Sequence, residues 1–322
     1  MALSYDILVR VGGGLAAVYL LLSLFNVHWL TRARAVASLL IGVVLVGWVG
    51  WPLVRPEDPL GAICLVDNMI NPGELLILCG LAFASGLTAY IVSWPKGSMT
   101  APLAAPAGLA VWVFASGDMR ILLLTNSSIV ERQKVYAILC WEGFFWLILV
   151  AAGLLGVLAG WLFQSRGQKV DSVKKLTVAM KPFDVLISVV VTVAVVWFLI
   201  GILAQDVRQA DAKLGYVIGQ PGKGQIAFAA CLSFLAAGYA VTHFFKTSYI
   251  IPTVCVAIVV FIAMRYTASP ATLEQMTQYW PVAYVFRSIC GVLPIQMVAF
   301  GALGAFTGYQ FAKNTSNTPK QV

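Results

Sequence analysis

Glu142, within the run Cys140-Trp-Glu-Gly-Phe-Phe-Trp146, is the one acidic residue well inside an apolar stretch long enough to cross a bilayer. A carboxylate in hydrocarbon costs ~2.5–3.5 kcal/mol on insertion scales, so it turns toward a partner or a water-filled cavity, or stays neutral. A neutral carboxyl with a raised pKa is what a proton-coupled transport site uses. The competing role is a structural carboxyl, hydrogen-bonded to a neighbouring helix.

Asp6 and Arg10 stand one helical turn apart and can pair on one face, and Gly12, Gly13 and Gly14 follow at once. Three glycines weaken a helix by ~1 kcal/mol each relative to alanine. They either unwind it, baring N–H groups to an anionic ligand, or let a neighbouring helix approach closely. His28 and His243 fall near the same ends of their spans and could ligate a b-type haem axially; each also stands among aromatic residues suited to the membrane interface. Asp58, Asp67 and Asp118 gather on one side with Arg55, Arg120, Arg265 and Arg287. Acids as bases and arginines for phosphates are what an enzyme acting on a lipid-linked substrate needs, but their spacing matches no motif. Six scattered cysteines form no C-x-x-C pair, and Cys64 and Cys290 fall on one side, where a disulfide between them is open. P-loop, zinc-protease and nucleophile-elbow signatures are absent, and neither a metal nor another cofactor is expected.

The elements that must position these residues are transmembrane helices. Hydrophobic residues make up 60% of the 322 and charged residues 11%, with mean hydropathy +0.88, far from the ~25% charged of soluble domains. The expected fold is all-α and polytopic, with about nine spans near 7–25, 36–54, 74–94, 101–115, 135–163, 184–204, 226–245, 249–264 and 289–311. The fifth is the longest. Ser128 and Glu131 form a capping box at its start, as Asn71, Pro72 and Glu74 do for the third span. The N-terminus MALSYDILVR lacks a basic n-region and a small-residue cleavage site, so its apolar stretch is expected to be retained.

Lys169, Lys174, Lys175 and Lys181 follow the fifth span and are expected on the cytoplasmic side, which places the N-terminus outside and the C-terminus inside. Val170, Val173, Thr177 and Met180 recur opposite those lysines, as in a short helix lying on the membrane surface. The fifth span divides the chain into a first half (5–128), a central helix (129–167), a basic linker (168–182), a second half (183–311) and a disordered tail (312–322). Tyr5-Asp-Ile-Leu-Val9 and Phe183-Asp-Val-Leu-Ile187 open the halves alike, with six identities between 5–24 and 183–202, as an inverted-topology repeat would give. Trp112-Val-Phe114 and Tyr284-Val-Phe286 add a second likeness.

The net charge of +8 sits at membrane ends rather than on an aromatic-interleaved basic face. It points to anionic lipid headgroups at the inner face and not to nucleic acid. The expected setting is the bacterial cytoplasmic membrane. The leading function is a non-catalytic membrane subunit or scaffold that holds a protein partner or a second copy. Its rival is a small-solute or proton-coupled transporter, and an enzyme of lipid-linked substrates comes third.

Overall fold

A computed structural model describes residues 29–66, 70–95, 97–165 and 182–317. Among them, seven helices are long and apolar enough to cross a membrane: Trp29–Val49, Pro72–Val92, Gly97–Ala115, Ile129–Gln164, Pro182–Leu203, Lys223–Phe245 and Ile250–Thr267. The protein is therefore a helical membrane protein. The expected first span, with Asp6, Arg10 and Gly12 to Gly14, lies outside the described residues. So do His28, Asp67 and the basic linker with its expected surface helix.

The chain divides into two compact units, and the longest helix passes from one to the other. The first unit holds α1 (Trp29–Gly42), which continues as a π-helix over Val43–Val49, then α2 (Pro72–Val92) and α3 (Ala104–Ala115). α1 begins before the expected position 36, so Arg32 and Arg34 belong to the helix and not to a preceding loop. Asn71 precedes α2, Pro72 opens it, and Glu74 Oε2 accepts the Asn71 N–H at 2.9 Å. The fourth span is broken. Gly97–Thr100 forms one turn and Ala101–Leu103 a 3-10 turn, because Pro102 has no N–H with which to continue the ladder. Small residues hold this unit together. A Cβ on Gly108 would strike Val46 and the Gly42 carbonyl, and one on Gly156 would strike the Phe83 carbonyl. Trp112 Nε1 donates to the Gly47 carbonyl at 2.9 Å, inside the π-helical stretch, where the regular ladder is interrupted.

The second unit holds α4 (Met119–Thr125), the first part of α5 (Ile129–Ser165), α6 (Pro182–Leu203), α7 (Lys223–Phe245), α8 (Ile250–Thr267), α9 (Pro270–Tyr279) and α10 (Pro294–Asn317). The capping box of α5 is present: the Ser128 N–H reaches Glu131 Oε2 at 3.1 Å, and the Glu131 N–H reaches Ser128 Oγ at 3.2 Å. From Pro294 to Phe306 every residue of α10 but Leu303 is buried. Gln296, Thr307 and Gln310 keep α10 less apolar than the seven helices above. α10 runs on to Asn317, correcting the expected disordered start at 312. Ala312 is buried, and Thr315 Oγ1 bonds back to the Phe311 and Ala312 carbonyls.

The expected all-α fold also needs one amendment. β1 (Arg208–Asp211), β2 (Gly215–Gly219) and β3 (Tyr284–Val285) form an antiparallel sheet in that order, with Arg208 opposite Ile218 and Ile218 opposite Val285. The turn between β1 and β2 is closed by Gly215 at φ +77°, a conformation that side chains resist. Tyr284-Val285 is thus strand, whereas Trp112-Val-Phe114 lies in helical α3.

Candidate functional site

Along the first part of α5, Arg132, Val135, Tyr136, Leu139, Cys140, Glu142, Gly143 and Trp146 are buried while Glu131, Gln133, Lys134 and Trp141 are exposed. Spacings of three and four residues make this one face of a helix. Gly143 lets α8 come close: a Cβ there would lie 3.2 Å from Val260 and 3.3 Å from Ala257. Trp141 sets its ring edge on Phe261 at 5.1 Å.

Glu142 is 0% exposed, as expected of an acid turned away from lipid. Its Oε1 accepts the indole N–H of Trp146 at 2.7 Å, one turn further along. This hydrogen bond lies within α5. It matches two buried polar groups whose separate burial would be costly.

Ten positions earlier, about 15 Å along a helix rising ~1.5 Å per residue, is Arg132. Arg132 is 6% exposed. Its Nε donates to the Asn126 carbonyl at 3.1 Å, Nη1 to Thr277 Oγ1 at 3.2 Å and Nη2 to the Leu123 carbonyl at 3.5 Å. Two of these acceptors lie at the C-terminal end of α4, where carbonyls have no partner in the helix and a cation is favoured. Arg132 thereby clamps α4 and α9 onto α5. It also lines a small pocket of about 20 Å³, together with Tyr136, Leu123, Leu273, Met276 and Phe286. Sequence reasoning passed over Arg132. The signal for it was its place on the stripe shared with Val135, Tyr136, Leu139 and Gly143.

The β1–β2 hairpin is tied to α9 by one carboxylate. Asp211 Oδ1 accepts the N–H groups of Lys213 (2.9 Å) and Leu214 (2.6 Å), and Oδ2 accepts Gln275 Nε2 (3.0 Å) and Trp280 Nε1 (2.6 Å). These donors, the Leu214 N–H foremost and then Trp280 and Gln275, hold the carboxyl well below the usual carboxylate range.

Of the acids and arginines expected together for lipid-linked chemistry, Asp67 lies outside the described residues and the others are engaged locally or exposed. Asp58 Oδ1 accepts the Leu60 N–H at 3.0 Å in a turn, and Asp118 caps α4 through the Ile121 N–H at 3.3 Å. Arg55, Arg120 and Arg265 are exposed. Arg287 lies 5.2 Å over the Phe286 ring, and its buried Nε has no hydrogen-bond partner. His243 is exposed, stacked on Tyr239 at 5.6 Å and edge-on to Phe244 at 5.1 Å, the aromatic setting expected of it. Cys290 is in no disulfide, so the bond to Cys64 that the sequence left open is not formed. Among the described residues no group of three His, Cys, Asp or Glu is placed to hold a metal ion. Compared with protein-family models, curated proteins and solved structures, the chain matches none.

Proposed function

We propose that this chain is a multi-pass protein of the bacterial cytoplasmic membrane, N-terminus outside and C-terminus inside, serving as a non-catalytic membrane subunit or scaffold. The ordered sheet of β1, β2 and β3 carries the reading. A polar segment that could have been a loose loop is built into a sheet, anchored to α9 through Asp211, with Arg208, Gln209 and Ala210 of β1 exposed. An edge strand held in place is a surface to which a partner's strand can add. Nine spans in a four-plus-one-plus-four order with inverted halves belong to the same proposal, supported by the matching openings at Asp6 and Asp184. Cysteine labelling near Tyr5 and Phe183 should then report opposite sides of the membrane; labelling from one side removes the inverted order. Anionic headgroups facing the basic linker, and a second copy or another protein at the β1 edge, are the partners this reading calls for.

Native mass spectrometry of the protein, gently extracted from its own membrane, tests the subunit reading. A stoichiometric protein partner or homo-oligomer is the expected result, and a lone monodisperse chain overturns it. One observation favours a second reading: Glu142 is fully buried in a membrane-spanning helix. If it carries protons for a transporter, Glu142→Gln abolishes flux in proteoliposomes, and undiminished flux in that variant ends the transporter reading.

A further inference from the structure

We propose that the Arg132 pocket is a binding site for a single oxyanion, a carboxylate or phosphate group, carried either on a membrane lipid or on a free small molecule. The inference stands independently of the scaffold reading.

The first argument is charge. A guanidinium has five N–H donors and keeps its charge at any physiological pH. Arg132 directs three of them to two backbone carbonyls and one hydroxyl, all neutral. The acids on the elements around it are engaged elsewhere or face solvent. Glu131 closes the Ser128 capping box, Asp118 caps α4, Asp211 receives four donors and Glu274 is exposed. Among the described residues no carboxylate is paired with Arg132. Burying a cation without a counter-charge is costly, and an anion that enters beside it recovers much of that cost.

The second argument is the cavity. Tyr136 stands one turn beyond Arg132 on the same face, is 3% exposed, lines the same pocket, and its hydroxyl makes no hydrogen bond among the described residues. The two remaining guanidinium donors and this hydroxyl together suit one oxyanion. Arg287, whose buried Nε has no hydrogen-bond partner, adjoins the lining residue Phe286 and adds positive charge. Leu123, Leu273 and Met276 complete the apolar walls of this small pocket. Arg132 lies in the first turn of α5, beside the polar residues Glu131, Gln133 and Lys134 that open the span.

The test follows the thermal unfolding midpoint of the detergent-purified full chain by tryptophan fluorescence. Short-chain phosphatidylglycerol, short-chain diacylglycerol (the same acyl chains with no oxyanion) and inorganic phosphate are titrated separately. A rise with phosphatidylglycerol alone assigns the site to a lipid headgroup; a rise with phosphate as well assigns it to free oxyanions of that chemistry. Equal responses to both lipids, or no response to any additive, overturn the site. Arg132→Gln should abolish the anion response. Because Arg132 also clamps α4, Tyr136→Phe is the companion variant: it leaves the clamp and should weaken the response about tenfold. Undiminished affinity in Tyr136→Phe, or in a folded Arg132→Gln, overturns the proposal.

Discussion

The Asp211 carboxylate accepts the Trp280 indole N–H at 2.6 Å, across 69 residues of chain. With Gln275 on the same oxygen and two backbone N–H groups on the other, this contact joins the hairpin to the segment that follows α8. One side chain therefore ties the β1–β2 hairpin to Gln275 and Trp280.

Asp211→Ala removes the acceptor of four hydrogen bonds, and Asp211→Asn keeps only one accepting oxygen. In both variants the amides of β1 and β2 should exchange faster, by about tenfold or more in the alanine variant, while the helices keep their protection. Hydrogen exchange read by mass spectrometry checks this. Unchanged exchange at 208–219 would remove Asp211 from its anchoring role.

The same contact sets a pH dependence. Because the folded carboxyl titrates below its ordinary value of 3.8, its contribution is fully present above that value and is lost as pH falls through the lower folded value. Trp280 emission and hairpin exchange should hold steady from neutral pH to about pH 4 and change only in stronger acid. A transition centred near pH 6 would assign control to another group.

Packing of α7 on α10 rests on backbone approach. A Cβ on Gly304 would meet the Cys231 carbonyl oxygen, and one on Gly308 the Leu235 carbonyl. Neither carbonyl can rotate away as a side chain could. Gly304→Val should therefore destabilise by about 1–3 kcal/mol or more. Gly201, with no atom within 4 Å of its would-be Cβ, is the control, and Gly201→Ala should be neutral or stabilise by about 0.5–1 kcal/mol. Thermal unfolding in one detergent compares them, and equal effects at the two sites would refute the close-packing account.

Glu142 and Trp146 form a separable pair. Glu142→Gln preserves an oxygen acceptor for the indole N–H and should leave the unfolding midpoint nearly unchanged. Glu142→Leu strands that N–H in the interior at a cost of about 1–3 kcal/mol. Double substitution with Trp146→Phe should recover part of the loss. Equal midpoints for the Gln and Leu variants would show that the hydrogen bond contributes nothing to stability.

Much of the helical architecture was legible because its causes are local. Apolar runs of bilayer length, the Ser128–Glu131 box and the Asn71-Pro-Gly-Glu74 start depend on neighbours within a turn or two, and the structure places those helix starts within a few residues. Glu142 could be found by type alone, since an acid inside an apolar run stands out wherever the fold sends it. The sheet was not legible. β1 reads Arg-Gln-Ala-Asp and is almost wholly exposed, so no alternation marks it as a strand; only pairing with β2, and the pairing of β2 with a segment some seventy residues later, makes it one.

Sequence by itself determined that this is a helical membrane protein and where most of its described helices begin and end, because bilayer burial and helix capping are written in short stretches of residue type. Tertiary structure alone decided that Asp211 anchors a platform and that Arg132 faces a pocket and not a carboxylate. Those outcomes depend on which helix faces turn toward each other and which distant segments meet, and hydrophobicity constrains neither. A charge on a helix stripe looks the same in sequence whether its partner is an acid, a carbonyl or an open cavity.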